Sequence, residues 1–237
     1  MSFSSFAVVV AVMGLICCAF TMTSAAQSFD YIANPPRQAV SPDIVSPGIH
    51  FLCETTQLCY RPSAIRAAYN FPSNLDGSGQ TILIVDAFGS PTIEQDLATF
   101  DAYFGIYPPP SFTILCPEEG CPVFDPNDTH HGELGWSVET SLDVEYAHAM
   151  APGANIVLVV ASTSSGDAIN AAEAAAIKRF PGAIMSQSFG MPEFLVHGNN
   201  AQIMQAHRNY VAATAAGITL LAATGGRVHQ TRRRGFG

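Results

Sequence analysis

Lysine is almost absent from the 237-residue chain. Lys178 is the only one, and charged residues of all kinds make up 12% against 48% hydrophobic. Disorder needs high charge and low hydrophobicity, so this composition excludes a disordered chain and favours one globular domain. With ten basic residues against 19 acidic and a formal charge of -9, the chain also lacks the electrostatic footprint of a nucleic-acid binder. The scarce positive charge is uneven, since Arg227, Arg232, Arg233 and Arg234 all fall near the end. Removing those four takes the balance from -9 to -13. Beyond the first 26 residues no apolar run is long enough to span a bilayer, because each stops within a handful of residues at Gly, Pro or Asp.

The start of the chain differs. Phe6 to Phe20 is nearly free of polar atoms and leads to Ser24-Ala25-Ala26, a small-x-small sequence of the kind signal peptidase cleaves. Residues 1–26 read as a removed secretory leader, although the usual positive charge before the apolar run is missing. A membrane anchor is the competing reading, and the run is short for one. The expectation is a secreted, extracellular protein with no membrane association after leader cleavage.

Cys17 and Cys18 leave with the leader, and Cys53, Cys59, Cys116 and Cys121 remain as two close pairs. In an oxidising compartment each pair would staple a short loop; three connectivities are possible and spacing alone does not choose. A four-thiolate zinc site is the alternative, against which stand spacings wider than C-x2-C. No metal site is expected: His130-His131-x-Glu133 lacks the helical His-Glu-x-x-His pattern and reads as a polar loop. Asn127-Asp128-Thr129 is a glycosylation sequon.

Residues 27–59 carry Pro35, Pro36, Pro42 and Pro47 and read as an extended arm. From Tyr60 the texture changes. Ile82 to Val85 is a continuous apolar run ending at Asp86, as in a strand buried on both faces. Ile93, Leu97, Phe100 and Phe104 recur at helical spacing, with Pro91 placed as a first-turn proline. An irregular insert follows, then a helix from about Trp136 to Met150, a strand at Ile156–Ala161 and an alanine-rich helix at Gly166–Arg179. A strand at Ala183–Ser188, a helix at Asn200–Ala215 and a strand at Ile218–Ala223 complete the series. Such alternation predicts an α/β fold, a parallel sheet with helices on both faces, whose ligands sit outside the carboxyl ends of the strands. Gly77-Ser78-Gly79 precedes a strand instead of following one, which excludes a dinucleotide loop.

Within the Trp136–Met150 helix, Glu139 and Asp143 are four residues apart and project from one face. Val138 and Leu142 form the apolar row beside them and are expected to face the core. The carboxylates would then border the buried side, where proximity and desolvation raise at least one pKa and let the pair share a proton. Acidic pairs on helices are more often a solvated face, so the neighbouring segments decide the reading. His148, near the helix end, is placed to complement the helix C-terminus. Asp86 is expected to be structural.

Five segments in order resemble the sedolisins, the serine-carboxyl peptidases with a subtilisin-like fold. They are Tyr60-x-Pro62-x-x-Ile65-x-x-Ala68-Tyr69, the Thr81–Phe88 strand, and Asp96-Leu97-Ala98-Thr99-Phe100 with Phe104-Gly105. The fourth is Glu139-x-x-x-Asp143-Val144-Glu145 with Ala151-Pro152-Gly153-Ala154, and the fifth is Ser186-Gln187-Ser188-Phe189-Gly190. The resemblance covers residues 60 to about 225. It implies that Glu139 is the general base that takes a serine's proton and that Asp143 orients and polarises it, with a carboxylate in place of histidine. It further implies acid-acting proteolysis of peptide or protein substrates, with the backbone of Ser188, Phe189 and Gly190 offered to an extended peptide.

The departures lie at the C-terminal end. After Leu220 to Gly225 the family continues into Asp-Ser-Gly, whose aspartate completes the oxyanion hole; here Gly226 follows, and residues 227–237 match nothing in the family. No Ser-Gly-Thr-Ser, the context of the nucleophilic serine, occurs in the 237 residues. The expected organisation is a leader at 1–26, an arm at 27–59, a C-terminally truncated peptidase domain at 60–226 and an unrelated basic tail at 227–237. No cofactor is expected in this chain, because the family's calcium site belongs to the part that has no counterpart here. Two function classes follow: a secreted serine-carboxyl endopeptidase represented by an incomplete chain, or a catalytically inactive relative that at most binds peptides.

Overall fold

Strand β1 (Thr81–Ala87) is the middle strand of a five-stranded parallel sheet in the computed structural model. The structure describes residues 60–117, 120–125, 127–128, 132–190 and 200–223. The leader, the arm with Cys53 and Cys59, His130, His131 and the tail lie outside the described residues. Sheet order is β2 (Phe112–Leu115), β3 (Asn155–Ala161), β1, β4 (Ile184–Gln187), β5 (Thr219–Ala222), and every neighbouring pair is parallel. Leu83, Ile84, Val85 and Ala87 are completely buried because helices cover both faces of β1, as its unbroken apolar run requires.

Side-chain alternation along the strands divides the core in two. On one face Ile84, Ile156, Leu158 and Val160 meet Ile93 and Leu97 of α2 (Ile93–Phe104) and Val144 of α3 (Glu133–Met150). On the other, Leu83, Val85, Val157, Val159 and Met185 pack against α4 (Gly166–Arg179) through Ile169, Ala172 and Ile177, and against α5 (Asn200–Ala215) through Ala213. Each such fully buried aliphatic side chain is worth roughly 1.5–3 kcal/mol of transfer free energy.

The path of the chain through the first face has a consequence for handedness. Helix α2 carries it outward from β1 to β2, and α3 brings it back to β3 on the same face. Opposite directions over one face require opposite hands, so one of these two crossovers is left-handed, against a rule obeyed in about 98% of cases.

Spans expected for α2, α4 and α5 coincide with those observed, and α3 begins three residues earlier, at Glu133. Two elements were not anticipated. Helix α1 (Pro62–Ala68) is a short segment with Pro62 in its first turn, and β2 is a four-residue edge strand whose side chains are half-buried or exposed. Pro91 stands before the α2 cap, Thr92, not inside the first turn.

One packing expectation is overturned. Val138 is only half-buried and Leu142 is 39% exposed, so that row does not face the core. The buried row is Trp136, Thr140, Val144 and His148, with Glu139 beside it. This inward stripe mixes polar and apolar residues, with Glu139 and Thr140 beside Asp86 and His148 against Tyr107 and Asp101, so the apolar residues of α3 alone do not mark its buried face.

Ala151-Pro152-Gly153-Ala154 ends α3 in a turn locked onto the loop before β1. The Gly153 N–H donates to Asp76 O at 2.7 Å, and a Cβ on Gly153 would lie 3.0 Å from Asp76 Cγ. Cys116 and Cys121 stand with Cα atoms 5.1 Å apart, within the span of a disulfide. Among the described residues no helix is long and apolar enough to cross a membrane.

Candidate active site

Asp86 sits near the end of β1, on the same side as Ile84 and hence beneath α3. It is completely buried, and neither carboxyl oxygen has a well-formed hydrogen bond. Burial, then the charges of Asp143 and Glu139, push its carboxyl well above the ordinary carboxylate range, while the nearby Thr140 hydroxyl pulls the other way. Thr140 is itself fully buried.

Glu139 is 2% exposed. Asp143, one turn further along α3, is pushed up to about 6 by burial, against the pull of a hydrogen bond with the Ser188 side chain. Its Oδ2 has no hydrogen-bond partner. The expected pair therefore occupies one side of α3 and adjoins a third carboxyl, Asp86, at the carboxyl edge of the sheet. Like charges this close do not all ionise in one pH range, so the cluster keeps at least one proton well above the usual carboxyl pKa. A group that can both hold and accept a proton near pH 6 is equipped for general acid/base work.

Ser188 follows β4 and is half-buried. Its side chain falls on the α3 side, which is how it reaches Asp143. The Phe189 ring instead packs with the cluster under α4 and α5, and Gly190 is exposed. Of the expected peptide-binding segment, then, Ser188 lies with the acid pair and Phe189 with the core. Residues 191–199 lie outside the described residues.

Other titratable groups on α3 lie away from this cluster. His148 does not cap the helix end. It is fully buried, with Nε2 3.0 Å from Tyr107 O and 3.3 Å from Asp101 Oδ1 of α2. Glu145 is pushed up to about 8 by burial and then by Asp96 and Asp101. Sequence reasoning gave neither residue a place inside the α2–α3 contact; the signal available was their position, three and four residues from Leu142 and Val144 on a helix with few apolar residues. A cavity of about 460 Å³, lined by Arg61, Arg66, Tyr103, Tyr107 and Pro152 among others, lies toward the opposite end of α3. Among the described residues no group of three or more His, Cys, Asp or Glu is placed to hold a metal ion.

No family model matches the chain. Kumamolisin from Bacillus sp. (strain MN-32) is 34% identical to it over 170 residues, which are 70% of this chain and 29% of kumamolisin. The chain thus spans less than a third of the length of that relative. The fold is similar to that of Pseudomonas sedolisin, a serine-carboxyl proteinase solved in complex with two molecules of pseudo-iodotyrostatin. The TM-score is 0.55, with 21% identity, over 69% of this chain and 43% of that one. At this level of identity the likeness establishes the shared subtilisin-like parallel sheet.

Proposed function

Because this chain belongs, over its matched residues, to the sedolisin family, we propose that it carries the carboxyl half of a secreted, acid-acting serine-carboxyl endopeptidase site. The observation that carries the reading is the buried cluster of Glu139, Asp143 and Asp86 at the carboxyl edge of the sheet. In this reading Glu139 accepts the proton of a serine hydroxyl as that oxygen attacks the substrate carbonyl, and returns it to the leaving amine. Asp143 orients Glu139. Its elevated proton affinity suits work in acid, where it shares a proton with its neighbours. In this reading an extended peptide or protein substrate would lie along Ser188–Gly190.

The serine itself is not supplied by these residues, since no Ser-Gly-Thr-Ser occurs in them. Residues 27–237 alone therefore form no acyl-enzyme and do not cleave peptides. Gly226, where the oxyanion aspartate belongs, supports the second reading, an inactive relative that retains only peptide binding.

Proteolysis of a denatured protein near pH 4 separates the readings. The expected result is no turnover by residues 27–237, turnover once the polypeptide is extended through a Ser-Gly-Thr-Ser segment, and its abolition by Glu139→Gln. An extended chain that stays inert while binding peptide would favour the second reading. Activity that survives Glu139→Gln would remove that residue from the role of base.

A further inference from the structure

We propose that Glu173 on α4 is a positioning residue that holds Ser188 against Asp143 from the opposite face of the sheet. Glu173 is 1% exposed, a placement that is costly for a carboxyl unless its oxygens are satisfied. Both are. Oε1 accepts a hydrogen bond from Gln187 Nε2 of β4, and Oε2 accepts one from Asn209 Nδ2 of α5 at 3.0 Å. The same Asn209 amide donates to Asn170 O at 2.8 Å, and Asn170 Nδ2 donates to Gln202 O at 3.3 Å. Tyr210 of α5 also meets the Gln187 side chain. Asn170, Gln187, Gln202 and Asn209 are all buried.

Apolar residues would join α4, α5 and β4 at lower desolvation cost. A satisfied polar network in their place fixes one geometry. What it fixes is the end of β4. Gln187 is the last residue of that short strand, with its side chain toward α4, and the next residue, Ser188, turns to the other face, where it meets Asp143. Holding Gln187 therefore holds the Ser188 hydroxyl. A hydrogen bond to an ionised carboxylate favours the ionised form, so the placement of β4 holds down the proton affinity that burial gives Asp143.

The catalytic consequence rests on the peptidase reading above, but the coupling is measurable without turnover. The experiment is an NMR titration of the Asp143 carboxyl carbon in the full chain and in three variants. Ser188→Ala should raise the Asp143 midpoint by roughly half to one pH unit, because the hydrogen bond that favours its ionised form is gone. Glu173→Ala should raise it in the same direction, and Glu173→Gln, which keeps one acceptor oxygen, should fall between. Should Glu173→Ala not fold, Glu173→Gln and Gln187→Met give the same reading. An Asp143 midpoint that moves in Ser188→Ala and stays put in folded Glu173 and Gln187 variants would overturn the proposal, as would one unmoved by Ser188→Ala. Failure of the peptidase reading shows separately, in the proteolysis assay of Glu139→Gln.

Discussion

Asp101 of α2 and His148 of α3 are buried side by side, with Oδ1 3.3 Å from Nε2. Around them the α2–α3 contact is rich in carboxyls. Asp96 accepts hydrogen bonds from Thr92 at 2.8 Å and Ser141 at 3.3 Å, and Glu145 lies near both aspartates. Glu145, shifted from 4.5 to about 8, and Asp143, shifted from 3.8 to about 6, are both raised by burial. A carboxyl whose folded pKa exceeds its unfolded one binds more protons when folded. Its stabilisation is complete below the unfolded pKa and is lost as pH rises through the folded value. These two groups should therefore make the chain more stable at pH 4 than at pH 8, with a loss on the order of a few kcal/mol across that range and with Glu145→Gln flattening the dependence. Melting temperatures across that range check this; a profile that climbs toward neutral pH would contradict it.

The parts of the fold that were readable from sequence are those in which periodicity and burial agree. Helix α2 shows its core face through Ile93, Leu97 and Phe100, and β1 is apolar because it is covered on both sides. Helix α3 breaks that agreement, since Glu139, Thr140 and His148 face inward while Leu142 faces out. An edge strand such as β2, with no fully buried residue, has no alternation to read. The Glu139 and Asp143 pair was visible as a four-residue spacing. Asp86 was visible only as the polar end of an apolar strand, because its nearness to α3 depends on a crossover that doubles back over the same face. Glu173 was hidden among alanines, and its partners come from two other elements.

Cys116 and Cys121 offer a direct chemical test. With Cα atoms 5.1 Å apart and a sequence separation of 5, they close a small loop after β2. In the oxidised protein, peptide mapping without reductant should recover Cys116 and Cys121 linked to each other. Replacing both with serine should cost about 2 kcal/mol, the loop-closure value for so short a span. Recovery of either cysteine linked to Cys53 or Cys59 would refute the pairing.

Gly153 is fixed by contact. A methyl group there would press on Asp76 and Ser78, and the backbone N–H already donates to Asp76 O. Gly153→Ala should destabilise the chain by about 1–3 kcal/mol through overpacking, read as a lower denaturation midpoint. Gly135 lies within α3 where an added Cβ meets nothing within 4 Å, so Gly135→Ala should be neutral or stabilising. Equal effects at the two positions would show that the close approach at Gly153 is not what matters.

Asp86 separates a structural carboxyl from a proton store. Burial and then the charges of Asp143 and Glu139 raise its pKa well above 3.8, so it resists ionising. By the linkage sign used for Glu145, its contribution to stability is present below pH 3.8 and fades as pH rises through the raised value. Asn has nearly the same shape and never ionises. Asp86→Asn should thus narrow the stability difference between acid and alkaline pH. It should also cost about 1–3 kcal/mol in acid, because the amide brings two N–H donors into a completely buried position where the protonated carboxyl brings one. Asp86→Ala would lose volume as well and should be worse throughout. Chemical denaturation of the two variants at acid and alkaline pH distinguishes these outcomes. A pH dependence unchanged in Asp86→Asn would mean that this carboxyl does not hold the proton, leaving Glu139 and Asp143 to share it between themselves.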